Sequence, residues 1–206
     1  MIQRILLMLF ALMFSLPAFA ADPLTDQVIV GFADILRGHF TEERQMKGFN
    51  GPLRSQGHFV VAPGHGLIWA IEKPFPTTST ITPNGLMQDV GGIKVMQVPV
   101  KKIPFLLHLY DMLGGALAGH WQVLEKDFIV TPESNADGWQ VTLQPRQTNN
   151  PAMPFQTIII KGSRFVESAL LQKADGDFDF LTFNHTALST APPTIAEMTA
   201  FNSVGP

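Results

Sequence analysis

The sequence contains no cysteine, which excludes disulfides, thiolate nucleophiles, cysteine metal ligands and cysteine-linked lipid anchors together. Charge is scarce as well. Asp, Glu, Lys and Arg make up 15% of the 206 residues, against about 25% in an ordinary soluble domain. With 46% apolar residues, the chain has the means to bury a core and little of the polarity that keeps chains disordered. Only 14 residues are basic and the formal net charge is -3. That leaves no electrostatic footprint for gripping a phosphate backbone, so nucleic acid is not an expected partner.

Catalytic signatures are missing too. There is no G-x-S-x-G elbow, and neither Ser55 nor Ser163 has an acid or base nearby in sequence. Gly64-His65-Gly66 and Gly114-Gly115 lack the lysine and the strand-to-helix setting of a phosphate-binding loop. Of the six histidines, His39, His58, His65, His108, His120 and His185, none stands at the spacing of a zinc pair on one helix face. Asp175-Gly176-Asp177-Phe178-Asp179 opens like a calcium loop, but Phe180 and Thr186 then occupy the positions that need Gly and Glu. The expectation is a protein without catalytic residues, metal or cofactor.

The first segment present reads as a targeting signal. Arg4 precedes an apolar run from Ile5 to Leu16, and Ala18-Phe19-Ala20 supplies the small residues of an A-x-A cleavage site. The run is short for a membrane span. Residues 1–20 are therefore expected to be a signal peptide cleaved near Ala20, with residues 21–206 forming one exported domain in a bacterial periplasm. Without cysteine there is no lipobox, and core packing alone must hold the fold.

After Asp22-Pro23, residues Leu24, Val28, Ile29, Phe32, Ile35 and Leu36 recur at helical spacing up to Gly38, predicting an amphipathic helix. Short strand-like segments follow at Phe40 to Met46, Gly57 to Ala62, Leu67 to Lys73 and Thr78 to Thr82. Asn84-Gly85 predicts a tight hairpin into a strand over 86–89. Ile103 to Leu117 is apolar nearly all round, too short to span a bilayer and too continuous for a surface helix, so it must be buried or cover something apolar. Further strands are expected at Asp127 to Thr131, Trp139 to Leu143, Gln156 to Lys161, Arg164 to Gln172 and Phe178 to Thr186, and a short helix at Thr194 to Phe201. The fold class is mainly β with helices (α+β). The expected architecture is a half-open, strongly curved antiparallel barrel of about 9 to 11 strands covered by helices.

The order of the pieces resembles a known family. Phe40-Thr41-Glu42, Ser55-Gln56-Gly57-His58-Phe59, Leu67-Ile68-Trp69, Pro74 and the hairpin Thr82-Pro83-Asn84-Gly85 are similar to the Phe-x-Gln, Ser-x-Gly-x-Phe, Phe-x-Trp, Pro and Ser-Asp-Gly series of the LolA-like periplasmic lipoprotein carriers. The resemblance runs from about Val28 to Phe183. It implies a half-open barrel of about eleven strands, closed by helices, whose cavity shelters acyl chains of a lipid-modified protein between two membranes. Several features depart from the family. The family's lid-latching arginine would fall on Pro63, Glu42 stands where Gln is usual, the Trp-x-Tyr after the hairpin is missing from Leu86 to Asp89, and the chain beyond Phe183 differs from the family's closing segment.

On this reading the cavity lining comes from alternate strand residues: Phe59 and Val61; Leu67, Trp69 and Ile71; Phe128 and Val130; Trp139, Val141 and Leu143; Ile158 and Ile160. The lid is Leu106, Leu109, Tyr110, Met112 and Leu113, backed by Val28, Phe32 and Ile35. The implied cargo is an acylated lipoprotein or a glycolipid, received from an inner-membrane exporter and passed to an outer-membrane acceptor by a monomeric carrier. The competing expectation is a non-enzymatic interaction or sensor module whose concave sheet holds a partner's peptide. A lipid hydrolase is a third reading, with no visible nucleophile constellation to carry it.

Overall fold

The computed structural model describes residues 24, 27–102, 114–147 and 155–205. The expected signal peptide and all five residues of the expected lid lie outside these residues. Eleven strands form one sheet: β1 (Ile35–Gln45), β2 (Leu53–Ala62), β3 (Gly66–Lys73), β4 (Thr77–Thr82), β5 (Gly85–Val90), β6 (Ile93–Pro99), β7 (Phe128–Asn135), β8 (Gly138–Pro145), β9 (Phe155–Gly162), β10 (Val166–Lys173) and β11 (Phe178–Ser189). A helix, α1 (Ile195–Ser203), ends the chain. Neighbours follow the order β6-β5-β4-β3-β2-β1-β11-β10-β9-β8-β7, and every pairing is antiparallel. The sheet is a meander closed at its middle by β1 against β11 and left open at β6 and β7. An antiparallel sheet this wide curls under its own twist, and its inward side chains share one apolar cluster with residues 116–118 and Trp121.

Between residues 27 and 34 the expected amphipathic helix is absent. Val28 N–H donates to the Arg164 carbonyl and Val30 N–H to that of Ala118, both at 2.9 Å, and from Ile35 the chain is strand β1. Ile29 and Phe32, placed on the helix's apolar face by spacing, are 63% and 84% exposed. The spacing misled because β1 is covered on both sides. Leu36 joins the concave cluster, whereas Ile35 joins a second cluster with Val60, Ala62, Ile68 and Phe201 on the convex side. A strand buried on both faces loses its period of two and mimics a helix stripe.

Glycines explain part of the family-like motif. At Gly57 a Cβ would overlap the carbonyl oxygen of Ala70 on β3, and at Gly38 it would lie 2.6 Å from the Phe59 ring. Gly85 is not a turn residue: the hairpin tip is Pro83-Asn84, with Thr82 paired to Gly85 inside β5. Strand β6 was not anticipated from the sequence, and β7 runs on to Asn135, past the end expected at Thr131.

The helix α1 packs on the convex face through Phe201, Met198 and Ala200. Its N-terminus carries a capping box, in which Thr194 Oγ1 accepts from Glu197 N–H and the Glu197 carboxylate accepts from Thr194 N–H. Among the described residues no helix is long and apolar enough to cross a membrane.

Candidate functional site

The concave face is built by strand alternation. All twelve described lining residues lie in or against one cluster: Phe59, Val61, Leu67, Phe128, Trp139, Val141, Leu143, Ile158 and Ile160 are buried in it, and Trp69, Ile71 and Val130 pack on it. The four lid residues Leu106, Leu109, Met112 and Leu113, with Tyr110, lie outside the described residues. Of the three residues expected to back the lid, Phe32 is exposed and Ile35 faces the convex side. Val28 is half-buried.

Sequence reasoning missed several members of the face. Phe40 on β1, Ile81 on β4, Val166, Ala169 and Leu171 on β10, and Leu181 and Phe183 on β11 all belong to the same cluster. The period-two signal was sufficient to place Ala169 and Leu171 on β10 and Leu181 and Phe183 on β11, whereas Val166 is out of phase with Ala169 and joins the face across the register shift between Val166 and Ser168. Trp121 and Leu124, in a short 3-10 stretch and its cap, carried no such signal.

Aromatic rings floor the β1–β3 side. Phe40 stacks on Trp69 at 3.9 Å between ring centres, and Phe59 meets Phe183 edge-on at 5.7 Å. Trp121 and Trp139 meet edge-on at 5.8 Å. The indole N–H groups are satisfied away from the face: Trp121 Nε1 donates to Gln27 Oε1 at 2.6 Å, and Trp139 Nε1 donates to the Ser163 carbonyl. The Trp121 and Trp139 rings therefore carry no unpaired N–H into the apolar cluster. Beneath a helical turn at 114–117, Ala116 and Leu117 roof an apolar cleft of about 40 Å3 over Ile158, Ala169, Leu181 and Phe183.

The same face turns polar toward one end. Along β1 the inward residues run Phe40, Glu42, Arg44, and along β11 they run Phe183, Leu181, Asp179. Arg44 bridges Glu42 and Asp179 at 2.8 Å each, Lys173 reaches Asp179 at 3.3 Å, and Ser55 Oγ donates to Glu42 at 2.9 Å. Burial opposes the Arg44 charge, but hydrogen bonds and attraction from Asp179 and Glu42 outweigh it, leaving its pKa above the ordinary value. Glu42, where the family pattern has Gln, is thus one anchor of this network. The site can shelter an apolar chain and leave a polar end beside paired charges.

A family model described as outer membrane lipoprotein carrier protein LolA-like matches residues 24–175. No curated protein matches. Among solved structures, a LolA superfamily protein from Nitrosomonas europaea is 10% identical over 80% of this chain and 90% of its own, with a TM-score of 0.42. The MucA/MucB complex of Pseudomonas aeruginosa gives 15% identity over 85% of this chain and 57% of that one, with a TM-score of 0.35. LprF from Mycobacterium bovis gives 14% over 78% and 88%, with a TM-score of 0.38. With the family model covering most of its length, the chain belongs to the LolA-like family of outer membrane lipoprotein carrier proteins.

Proposed function

We propose that this chain is a periplasmic carrier that shelters acyl chains of a lipoprotein or other lipid on its concave face and moves them from the inner to the outer membrane. The observation that supports this reading is the continuous apolar face floored by Phe40, Phe59, Trp69 and Phe183, which ends in the Glu42–Arg44–Asp179 network. An amphiphile fits that polarity with its chain along the rings and its polar end at the charges.

The energetics set the demand. At about 0.8 kcal/mol per buried methylene, a chain of roughly fifteen methylenes is worth about 12 kcal/mol relative to water. A carrier must nearly match the bilayer and still release, which favours broad apolar contact over a few strong polar bonds. Among the described residues the cleft beneath 114–117 measures about 40 Å3, room for about three water-sized spheres, so an acyl chain entering at that point has to part the 114–117 segment from β9, β10 and β11. Donor and acceptor proteins at the two membranes belong to this proposal, as does a monomeric carrier.

Native mass spectrometry of freshly purified protein tests it. The proposal expects lipid-sized adducts that dissociate on mild activation; protein that is adduct-free and takes up no lysolipid contradicts it. The alternative, a module that binds a partner's peptide, draws on the open edge strand β6, whose Ile93 and Val95 are exposed and offer a template for an added strand. It expects no adduct and a peptide-dependent loss of amide exchange in β6.

A further inference from the structure

Three hairpin tips carry exposed apolar side chains to one end of the sheet. Along a meander the connections alternate between two ends, so the β1–β2, β3–β4 and β5–β6 turns emerge together, beyond the closing pairs Arg44–Leu53, Ile71–Thr77 and Val90–Ile93. At these tips Phe49, Phe75 and Ile93 are 55%, 77% and 71% exposed. Successive tips lie two strand spacings apart, about 10 Å, which sets the three side chains in a row along the rim.

Each tip stands clear of the body and carries a lysine. A Cβ at Gly48, Gly51, Gly91 or Gly92 would meet no atom within 4 Å, so the first and third tips project into open space. Phe75 sits between Pro74 and Pro76, whose rings fix φ on either side of it. Lys47, Lys73 and Lys94 lie within two residues of Phe49, Phe75 and Ile93 and are exposed as well. Neighbouring acids are turned back onto the chain: Asp177 Oδ1 accepts from Lys47 N–H and Asp89 Oδ1 from Gly92 N–H, both at 2.8 Å. The β10–β11 turn at this end, Asp175-Gly176-Asp177, is acidic, so the basic and apolar side of the rim is the β1–β6 half.

We propose that these three tips form a membrane-docking edge, with Phe49, Phe75 and Ile93 entering the interfacial layer of a phospholipid bilayer and Lys47, Lys73 and Lys94 lying at its phosphates. Single apolar side chains about 10 Å apart, each with a lysine beside it, suit a fluid interface that closes around every side chain separately. A protein partner calls instead for one contiguous, close-packed patch. The same end of the sheet holds the Glu42–Arg44–Asp179 network, since Arg44 is next to last in β1 and Asp179 is second in β11. From a docked carrier an amphiphile enters the concave face tail first, and its head stops at the charges nearest the bilayer. That last step rests on the carrier reading; the docking itself does not.

Flotation of the chain from Ala21 onward, the product of the expected signal cleavage, with vesicles of phosphatidylethanolamine and phosphatidylglycerol tests the edge. The parent should float with the vesicles. Phe75→Asp and Phe49→Asp should each weaken that binding by about tenfold or more, with no drop in melting temperature because both side chains are exposed. Changing Lys47, Lys73 and Lys94 together to Gln should weaken binding to these vesicles and leave binding to pure phosphatidylcholine unchanged. Ile195→Asp, which removes an apolar side chain 89% exposed at the start of α1, should float as the parent does. Fatty acid added without vesicles should bind the parent and Phe75→Asp alike; its failure to bind either one contradicts the carrier reading and leaves the docking edge standing. A parent that does not float, that floats only when the vesicles contain membrane protein, or that floats no better than Phe75→Asp and Phe49→Asp overturns the proposal.

Discussion

Arg37 on β1 and Glu197 on α1 meet through two parallel hydrogen bonds of 2.7 Å, Nε to Oε1 and Nη2 to Oε2. The pair ties the C-terminal helix to the convex face. It is bidentate and partly shielded, the geometry in which an ion pair contributes measurably. The Arg37 hydrogen bonds hold the Glu197 carboxyl at about 2, against an ordinary 4.5, with its cap hydrogen bonds to Thr194 adding in the same direction. Because the folded-state value is the depressed one, the stabilisation is complete above about pH 4.5 and is lost as the pH falls toward 2. Glu197→Gln keeps a cap acceptor but loses the charge. It should cost about 1–2 kcal/mol at pH 7, a deficit that narrows in denaturant melts as the pH falls from about 4.5 and disappears only below about 2.

Gly57 accounts for a family-like motif by sterics alone. A methyl group there has no room against the Ala70 carbonyl oxygen, and the two strands cannot part without breaking their ladder. Gly57→Ala should cost at least about 3 kcal/mol, read as a fall in the urea midpoint, while Gln56→Ala, exposed beside it, should change little.

Thr80 offers the opposite case. It is fully buried on β4, paired with Ile68 and Met87 on its two neighbours, and its hydroxyl has no hydrogen-bond partner. Val fills the same shape without a stranded polar atom, so Thr80→Val should gain about 1 kcal/mol. Thermal melts should show this as a rise of about 2–4 °C.

Three substitutions separate cargo space from stability. Ala169 lines the cleft beneath 114–117, and Ala169→Val fills it in place. Affinity for a fluorescent fatty acid should fall several-fold while the melting temperature holds or rises. For the proposed lid, Leu109→Asp or Leu113→Asp should weaken the same binding more than it lowers the melting temperature. Binding equal to the parent's in all three variants contradicts the assignment of both cleft and lid.

Much of the sheet is legible in the sequence because one face of most strands is buried: Trp139, Val141 and Leu143 alternate with Gln140 and Thr142, and the parity reads directly. Legibility fails where burial is two-sided or absent. Ile35 and Leu36 feed opposite cores and imitate a helix stripe. Strand β6 alternates apolar and polar residues, yet Ile93 and Val95 face solvent at a sheet edge, and there no core contact supports the pattern. The gathering of Phe49, Phe75 and Ile93 at one end was illegible for another reason: it follows from the order of strands in the sheet, which no single turn records.

The three tryptophans of the chain, Trp69, Trp121 and Trp139, all lie in or against the concave cluster, so their emission reports directly on an acyl chain placed there. Titration with a fatty acid brominated at mid-chain should quench that emission saturably at about one equivalent, and an unbrominated fatty acid should reverse the quenching. Emission unchanged through several equivalents, with the protein folded throughout, would contradict the claim that this face receives lipid.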